Sequence, residues 1–274
     1  MSAPVPEEAI RKALPDATEI EPLDGGGQGF VWRVVVAGRE EALKLLDPAK
    51  SDRADREVAA LQAISSPYVM RFYGTLEIEH DGQRCQAIRG EFISGGTVHS
   101  KLAADERPDA EGALAFVQGL VRGLGEIHAT ERGHRDIKPQ NIAVRDGRWE
   151  APVILDLGLA RDLLATSITA YPGQLGTAVF MAPEQLRGER APRRSDIFAA
   201  GVVLFVLSVG RHPFMEDGET LSVDELLARQ EAAEWPIWDG VDDRVRRVME
   251  PMLAFEANAR PRAGSVLNLI EEPA

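Results

Sequence analysis

The chain has 274 residues, 44% hydrophobic and 27% charged, enough to bury a sizeable core in one large domain or two joined lobes. Its formal net charge of −13 repels phosphate backbones and argues against a nucleic-acid partner. The single cysteine, Cys85, excludes an internal disulfide framework and a zinc cluster, and it suits a reducing, cytoplasmic setting.

The first residues lack a basic region followed by an apolar run, so no secretory signal is expected. A short helix is predicted over 7–14, closed by Pro15, followed by a strand over 18–23. Asp24-Gly25-Gly26-Gly27-Gln28-Gly29 is a turn that few residues but glycine could make. Residues 30–37 alternate and are rich in valine, Gly38-Arg39 turns the chain, and 41–46 reads as the next strand. After Asp47-Pro48 a helix is predicted over 51–64, with Ala54, Val58, Leu61 and Ile64 on its buried face. Strands over 69–79 and 84–93 follow, split by the Asp81-Gly82 turn. Ser94-Gly95-Gly96 marks a boundary.

Helices dominate beyond it. Residues 110–128 are amphipathic with Leu114, Val117, Val121, Leu124 and Ile127 inward, and 196–209 is apolar on nearly every side. The longest apolar run, 199–209, is too short to span a bilayer, so no membrane segment is expected within these residues. Three more helices are predicted over 222–232, 242–253 and 263–271. The pattern implies an α+β chain: a small, mostly antiparallel sheet lobe with one helix, a glycine-rich connection, and a larger helical lobe. A cleft between such lobes is the natural ligand site.

The most informative string is His134-Arg135-Asp136-Ile137-Lys138-Pro139-Gln140-Asn141. An acid, a cation and an amide stand at fixed offsets in one short segment. Asp136 can accept a proton from an attacking hydroxyl, Lys138 can neutralise a migrating phosphoryl group, and Asn141 can hold a divalent metal. Phosphoryl transfer to an alcohol needs these and little covalent chemistry from the protein.

In the order and spacing of its motifs the chain resembles the protein kinase catalytic domain, of the Ser/Thr type found in bacteria, from about residue 18 to the end. The resemblance implies a bilobal fold: an extension over 1–17, an N-lobe over 18–93 and a C-lobe over 94–274, together one catalytic domain over 18–274. It implies ATP and Mg²⁺ (or Mn²⁺) as cofactors and a protein as substrate, and it is silent on oligomeric state. Gly25, Gly26, Gly29 and Val31 match the phosphate-covering turn, although Asp24 stands where its first glycine is usual. Ala42-Leu43-Lys44 matches the strand whose lysine meets the α- and β-phosphates, with Glu57 as the helix partner of Lys44. Glu91 and Ile93 fall in the segment whose backbone reads adenine. Gly90 stands where a bulky side chain is usual, which means either an open pocket behind adenine or a shift of register by one residue.

By the same resemblance Asp136 is the base, Lys138 steadies the transferred group, and Asn141 with Asp156, of Asp156-Leu157-Gly158, holds the metal. His134 is expected to pack and hydrogen-bond rather than titrate. Arg135 and the polar cluster Thr166, Ser167 and Thr169 imply autophosphorylation of an activation segment that ends at Met181-Ala182-Pro183-Glu184. Thr177 is expected to hydrogen-bond Asp136. Glu184 is expected to pair with Arg260, and Asp196 to cap the buried helix and accept N–H groups of the catalytic loop. Two other functions stay open: a pseudokinase used as a binding or scaffold module, and a small-molecule phosphotransferase.

Overall fold

The computed structural model describes residues 5–23, 31–46, 51–157, 178–190, 192–216, 218–232 and 240–272, with the side chains of 51–56 excepted. The chain forms two compact units, Met1–Ile93 and Ser94–Ala274.

The first unit is built on a five-stranded antiparallel sheet. Its elements are α1 (Glu7–Ala13), β1 (Ala17–Leu23), β2 (Val31–Val36), β3 (Arg39–Leu45), α2 (Ser51–Gln62), β4 (Phe72–His80) and β5 (Gln83–Glu91), in the sheet order β1-β2-β3-β5-β4. Two hairpins fix the register. Ala37 and Gly38 have φ of 52° and 75°, and Asp81 and Gly82 have φ of 50° and 72°. Both pairs have the double positive φ that matches the twist of a tight hairpin. The first turn therefore sits one residue earlier than Gly38-Arg39.

Strand β3 alternates: Glu41, Leu43 and Leu45 are buried, and Ala42 and Lys44 face the other way. The Leu43 side of the sheet joins Ile78, Cys85 and Ala87 in a core completed by Val5, Ile10 and Leu14. Helix α1, read as part of an extension, thus supplies a fully buried isoleucine to this core. Helix α2 differs from expectation. It ends at Gln62 and Ile64 lies past its end; among its described side chains Glu57, Ala60 and Leu61 are buried and Val58 is half-buried, while Ala54 lies outside them. Leu61 is buried as expected, and the charged Glu57 is turned inward as well, toward Lys44, which hydropathy alone does not foresee.

The second unit contains α3 (Val98–Ala103), α4 (Ala110–Ala129), β6 (Ile142–Val144), β7 (Pro152–Ile154), α5 (Pro183–Leu186), α6 (Arg194–Val209), α7 (Val223–Ala232), α8 (Asp243–Met252) and α9 (Ala263–Glu271). Asp109 caps α4 by accepting the Gly112 N–H at 2.8 Å. Leu114, Val117, Val121, Leu124 and Ile127 of α4 are all buried, as their spacing predicts. Helix α6 is buried on almost every side and stops at Gly210, which has φ of 85°. The short elements α3, α5 and β6 escape a reading by periodicity because none completes two turns or several alternations. No helix among the described residues is long and apolar enough to cross a membrane.

Arg260 is the largest fully buried side chain among the described residues. Its guanidinium meets Glu184 through both oxygens, Nη1 to Oε1 at 2.7 Å and Nη2 to Oε2 at 2.9 Å. It also donates to the carbonyls of Ala254 and Phe255, each at 2.6 Å, and lies 4.9 Å from the Phe198 ring centre. Burial works to raise the Glu184 carboxyl, but hydrogen bonds from Arg260 and Ser195 outweigh it and hold the group below its ordinary range. Arg260→Ala leaves a buried carboxylate unpaired and should destabilise the chain by about 3–5 kcal/mol in urea unfolding. Arg260→Lys should fail to restore it, because an ammonium cannot form the fork.

His212 is neutral for a geometric reason. Its Nε2–H donates to the Val179 carbonyl at 3.1 Å, and its Nδ1 accepts the Phe214 N–H at 3.2 Å. Burial lowers its pKa from 6.5 to about 4, the Val179 contact opposing. The unfolded chain therefore takes up this proton first. The contribution is complete above pH 6.5 and is lost as pH falls toward 4. His212→Gln should flatten the loss of stability over that window by roughly 3 kcal/mol, read from urea midpoints at matched pH.

Candidate active site

Each unit holds one cluster of the sequence-predicted residues. In the first, the register sets Val31 opposite Lys44, and Ala42 opposite Gly90, so these four share one face of the sheet. Lys44 Nζ lies 2.7 Å from Glu57 Oε1, with the glutamate side chain only 8% exposed. A lysine on β3 and a glutamate of α2 turned toward it thus form a partly buried ion pair. Glu91 closes β5 and donates its N–H to the Arg71 carbonyl at 2.8 Å, and Ile93 is buried beyond it.

Gly90 pairs with Ala42 on one side and with Phe72 on the other, where the β4 register shifts between Phe72 and Gly74. The space that its side chain would take is filled rather than open. A Cβ built there lies 2.6 Å from Met70 Cε and 2.7 Å from Sδ. A thioether from a neighbouring segment occupies the volume, which speaks against the first of the two alternatives, an open pocket. Gly25, Gly26 and Gly29 lie outside the described residues.

In the second unit α4 and the β6–β7 hairpin frame the catalytic string. Asp136, Lys138 and Asn141 are all buried. Lys138 Nζ lies 3.0 Å from Asp136 Oδ2. Asn141 Nδ2 donates to the Asp136 carbonyl at 2.8 Å and to Oδ2 at 3.0 Å. One carboxylate is thereby gripped by a cation and an amide that the sequence sets two and five residues away. The Leu155 N–H donates to the Asn141 carbonyl at 3.0 Å, which brings the residue before Asp156 onto the end of the loop. Asn141 and the half-buried Asp156 are therefore neighbours, and they offer the hard oxygen donors that a small divalent cation requires. Leu157 is buried behind them.

The loop hangs from α6. Asp196 accepts the His134 N–H at 2.8 Å on Oδ2 and the Arg135 N–H at 2.6 Å on Oδ1. His128 Nε2 adds a contact to Oδ2 at 2.8 Å. Burial works to raise this carboxyl, but the His128 bond and the backbone N–H groups outweigh it and hold the pKa below the usual range. Asp196 does not cap α6. It sits inside the first turn with its carboxylate committed to the loop. His134 is fully buried and its pKa is lowered by desolvation, with the charges of Asp196, Asp136 and Asp156 opposing. Its Nδ1 accepts the Asp136 N–H at 3.2 Å, so it serves as a neutral structural ring.

Sequence reasoning missed Gln185. It is 3% exposed, its Oε1 accepts the Ala182 N–H at 3.2 Å, and its Nε2 donates to the Arg135 carbonyl at 3.0 Å. A glutamine one residue past Glu184 carries no signal that separates a surface amide from a buried tie. Thr166, Ser167, Thr169 and Thr177 lie outside the described residues, as does Gly158.

Comparison with known proteins agrees with this chemistry. The sequence model of the protein kinase domain matches residues 18–269. The chain is 34% identical over 206 residues to the serine/threonine-protein kinase PrkC of Bacillus subtilis, covering 72% of this chain and 31% of that protein. It is 31% identical over 207 residues to the serine/threonine-protein kinase pkn2 of Myxococcus xanthus, covering 71% and 24%. It is 33% identical over 271 residues to the DNA damage-responsive serine/threonine-protein kinase RqkA of Deinococcus radiodurans, covering 89% and 37%. The chain thus spans well under half the length of these relatives. The family uses ATP and a divalent metal, and it acts on proteins. The chain belongs to the protein kinase family and is a kinase domain of the serine/threonine type.

Proposed function

We propose that the chain transfers the γ-phosphoryl group of ATP to serine or threonine hydroxyls of a protein, with Asp136 as the base. The observation that carries this reading is the buried triad in which Lys138 and Asn141 both contact Oδ2 of Asp136. Asp136 takes the proton from the substrate hydroxyl while that oxygen attacks the γ-phosphorus. The bond from phosphorus to the bridging oxygen of ADP breaks, and ADP leaves with that electron pair. Lys138, already beside Asp136, faces the negative charge of the transferred group. Lys44, steadied by Glu57, holds the α- and β-phosphates. Gly25, Gly26, Gly29, Val31, Ala42, Glu91 and Ile93 hold the rest of the nucleotide.

Asp156 and Asn141 hold the divalent metal, Mg²⁺ by the hardness of its donors, with Mn²⁺ as a substitute. When bound, the ion neutralises phosphate charge that the acidic chain alone does not. A cytoplasmic setting fits the supply of ATP there and a buried thiol, Cys85, whose Sγ donates to the Leu46 carbonyl at 3.2 Å.

Asp136→Asn keeps the shape of the site and removes the proton acceptor. Turnover should fall by at least about 10²-fold while ATP affinity, by equilibrium titration, stays within about threefold. Retention of most of the rate would remove Asp136 from its role. Lys44→Met should also disable transfer, by misplacing the phosphates rather than removing the base, and so should weaken ATP binding.

The activation segment is read as an autophosphorylation site at Thr166, Ser167 or Thr169. Mass spectrometry of the active chain after incubation with ATP should find phosphate on this cluster, and none in Asp136→Asn. An active wild-type chain that stays unmodified there would contradict the reading.

A further inference from the structure

We propose that Gln185 is a positioning residue for phosphotransfer: it fixes the peptide plane between Arg135 and Asp136 and ties that plane to segment 178–182. The inference rests on the reading of Asp136 as the base. Arg135 has φ of 67°, a left-handed conformation unusual for a residue other than glycine. The direction of the Asp136 side chain follows from the peptide unit that joins it to Arg135. That unit is held at both ends. Its N–H donates to His134 Nδ1 at 3.2 Å, and its carbonyl accepts Gln185 Nε2–H at 3.0 Å.

Gln185 has no alternative arrangement. Its Oε1 accepts the Ala182 N–H at 3.2 Å, so a flip of the amide loses both hydrogen bonds and sets donor against donor and acceptor against acceptor. The segment on the far side of Gln185 is itself anchored. Gln230 Nε2 donates to the Met181 carbonyl, and His212 Nε2–H to the Val179 carbonyl, both at 3.1 Å. Three side chains from separate parts of the chain thus grip backbone groups of 179–182, and of these three Gln185 also bonds the catalytic loop. The cavity beside it, lined by Arg135, Asp136, Phe180, Met181 and Gln185 among others, measures ≈ 10 Å³. The tie itself is direct, with Gln185 Nε2 3.0 Å from the Arg135 carbonyl.

The test uses the full chain, ATP and a generic Ser/Thr protein substrate. Gln185→Ala should lower kcat at least about tenfold and leave the KM for ATP within about twofold, because the base is displaced and the nucleotide contacts are not. Gln185→Glu gives a second readout. Its neutral carboxyl can donate to the Arg135 carbonyl and accept from Ala182, whereas the carboxylate sets an oxygen against that carbonyl. The charged groups lining the same cavity are Arg135, Asp136 and Asp196. The kcat of Gln185→Glu relative to wild type should therefore fall as pH rises from about 5.5 to about 8.5.

Wild-type kcat in Gln185→Ala, a matched change in kcat and in the KM for ATP, or a flat ratio for Gln185→Glu would each overturn the proposal. If circular dichroism shows that Gln185→Ala does not fold, the pH ratio of the glutamate variant decides alone. A wild-type chain that transfers no phosphate would instead refute the kinase reading, and this inference with it.

Discussion

Asp196 is a fully buried carboxylate whose two oxygens are committed to the backbone N–H groups of His134 and Arg135 and to the His128 ring. A charge in that position is tolerated only because it is fully bonded. What it holds is itself strained: Arg135 keeps a positive φ that disfavours a side-chain-bearing residue by roughly 1–2 kcal/mol. The energy of the buried hydrogen bonds offsets that strain. The result is a loop whose following residues, Asp136 to Asn141, close on one another through short contacts rather than fluctuating in solvent. Without Asp196 the loop would relax toward ordinary backbone angles, and the acid, the cation and the amide would no longer converge.

The same logic governs the Glu184–Arg260 pair. Five backbone and side-chain acceptors surround one guanidinium. The pair fastens the Ala182-Pro183-Glu184 turn to the chain after α8. Gln185 follows immediately on α5 and reaches the catalytic loop. A stability contact and a functional contact are thus adjacent residues of one short helix. The rigid pair fixes the helix, and the helix delivers the glutamine.

The fold was largely legible because its signals are physical and local. Alternation placed the strands, glycine and aspartate marked the hairpins, and the stripe of Leu114, Val117, Val121, Leu124 and Ile127 placed the central helix within a residue of its end. The charged residues proposed for catalysis could be singled out because phosphoryl transfer needs those types at those offsets, and Lys138 and Asn141 do meet Asp136. On α2 the motif reading placed Glu57 against Lys44, as the structure does, whereas hydropathy alone put Val58 inward, where it is only half-buried. The surroundings of Gly90 stayed open between two readings because Met70, which fills the space beside it, lies twenty residues away in the chain and carries no signal of that contact. Gln185 was invisible for a related reason: a neutral amide becomes informative only when its partners are known.

The most direct test of the account is single-turnover transfer from γ-labelled ATP to a Ser/Thr protein substrate, with identification of the labelled amino acid after acid hydrolysis. The account predicts label on phosphoserine or phosphothreonine, formed together with an equal amount of ADP. ATP bound with a divalent metal but no label transferred to any hydroxyl would contradict it.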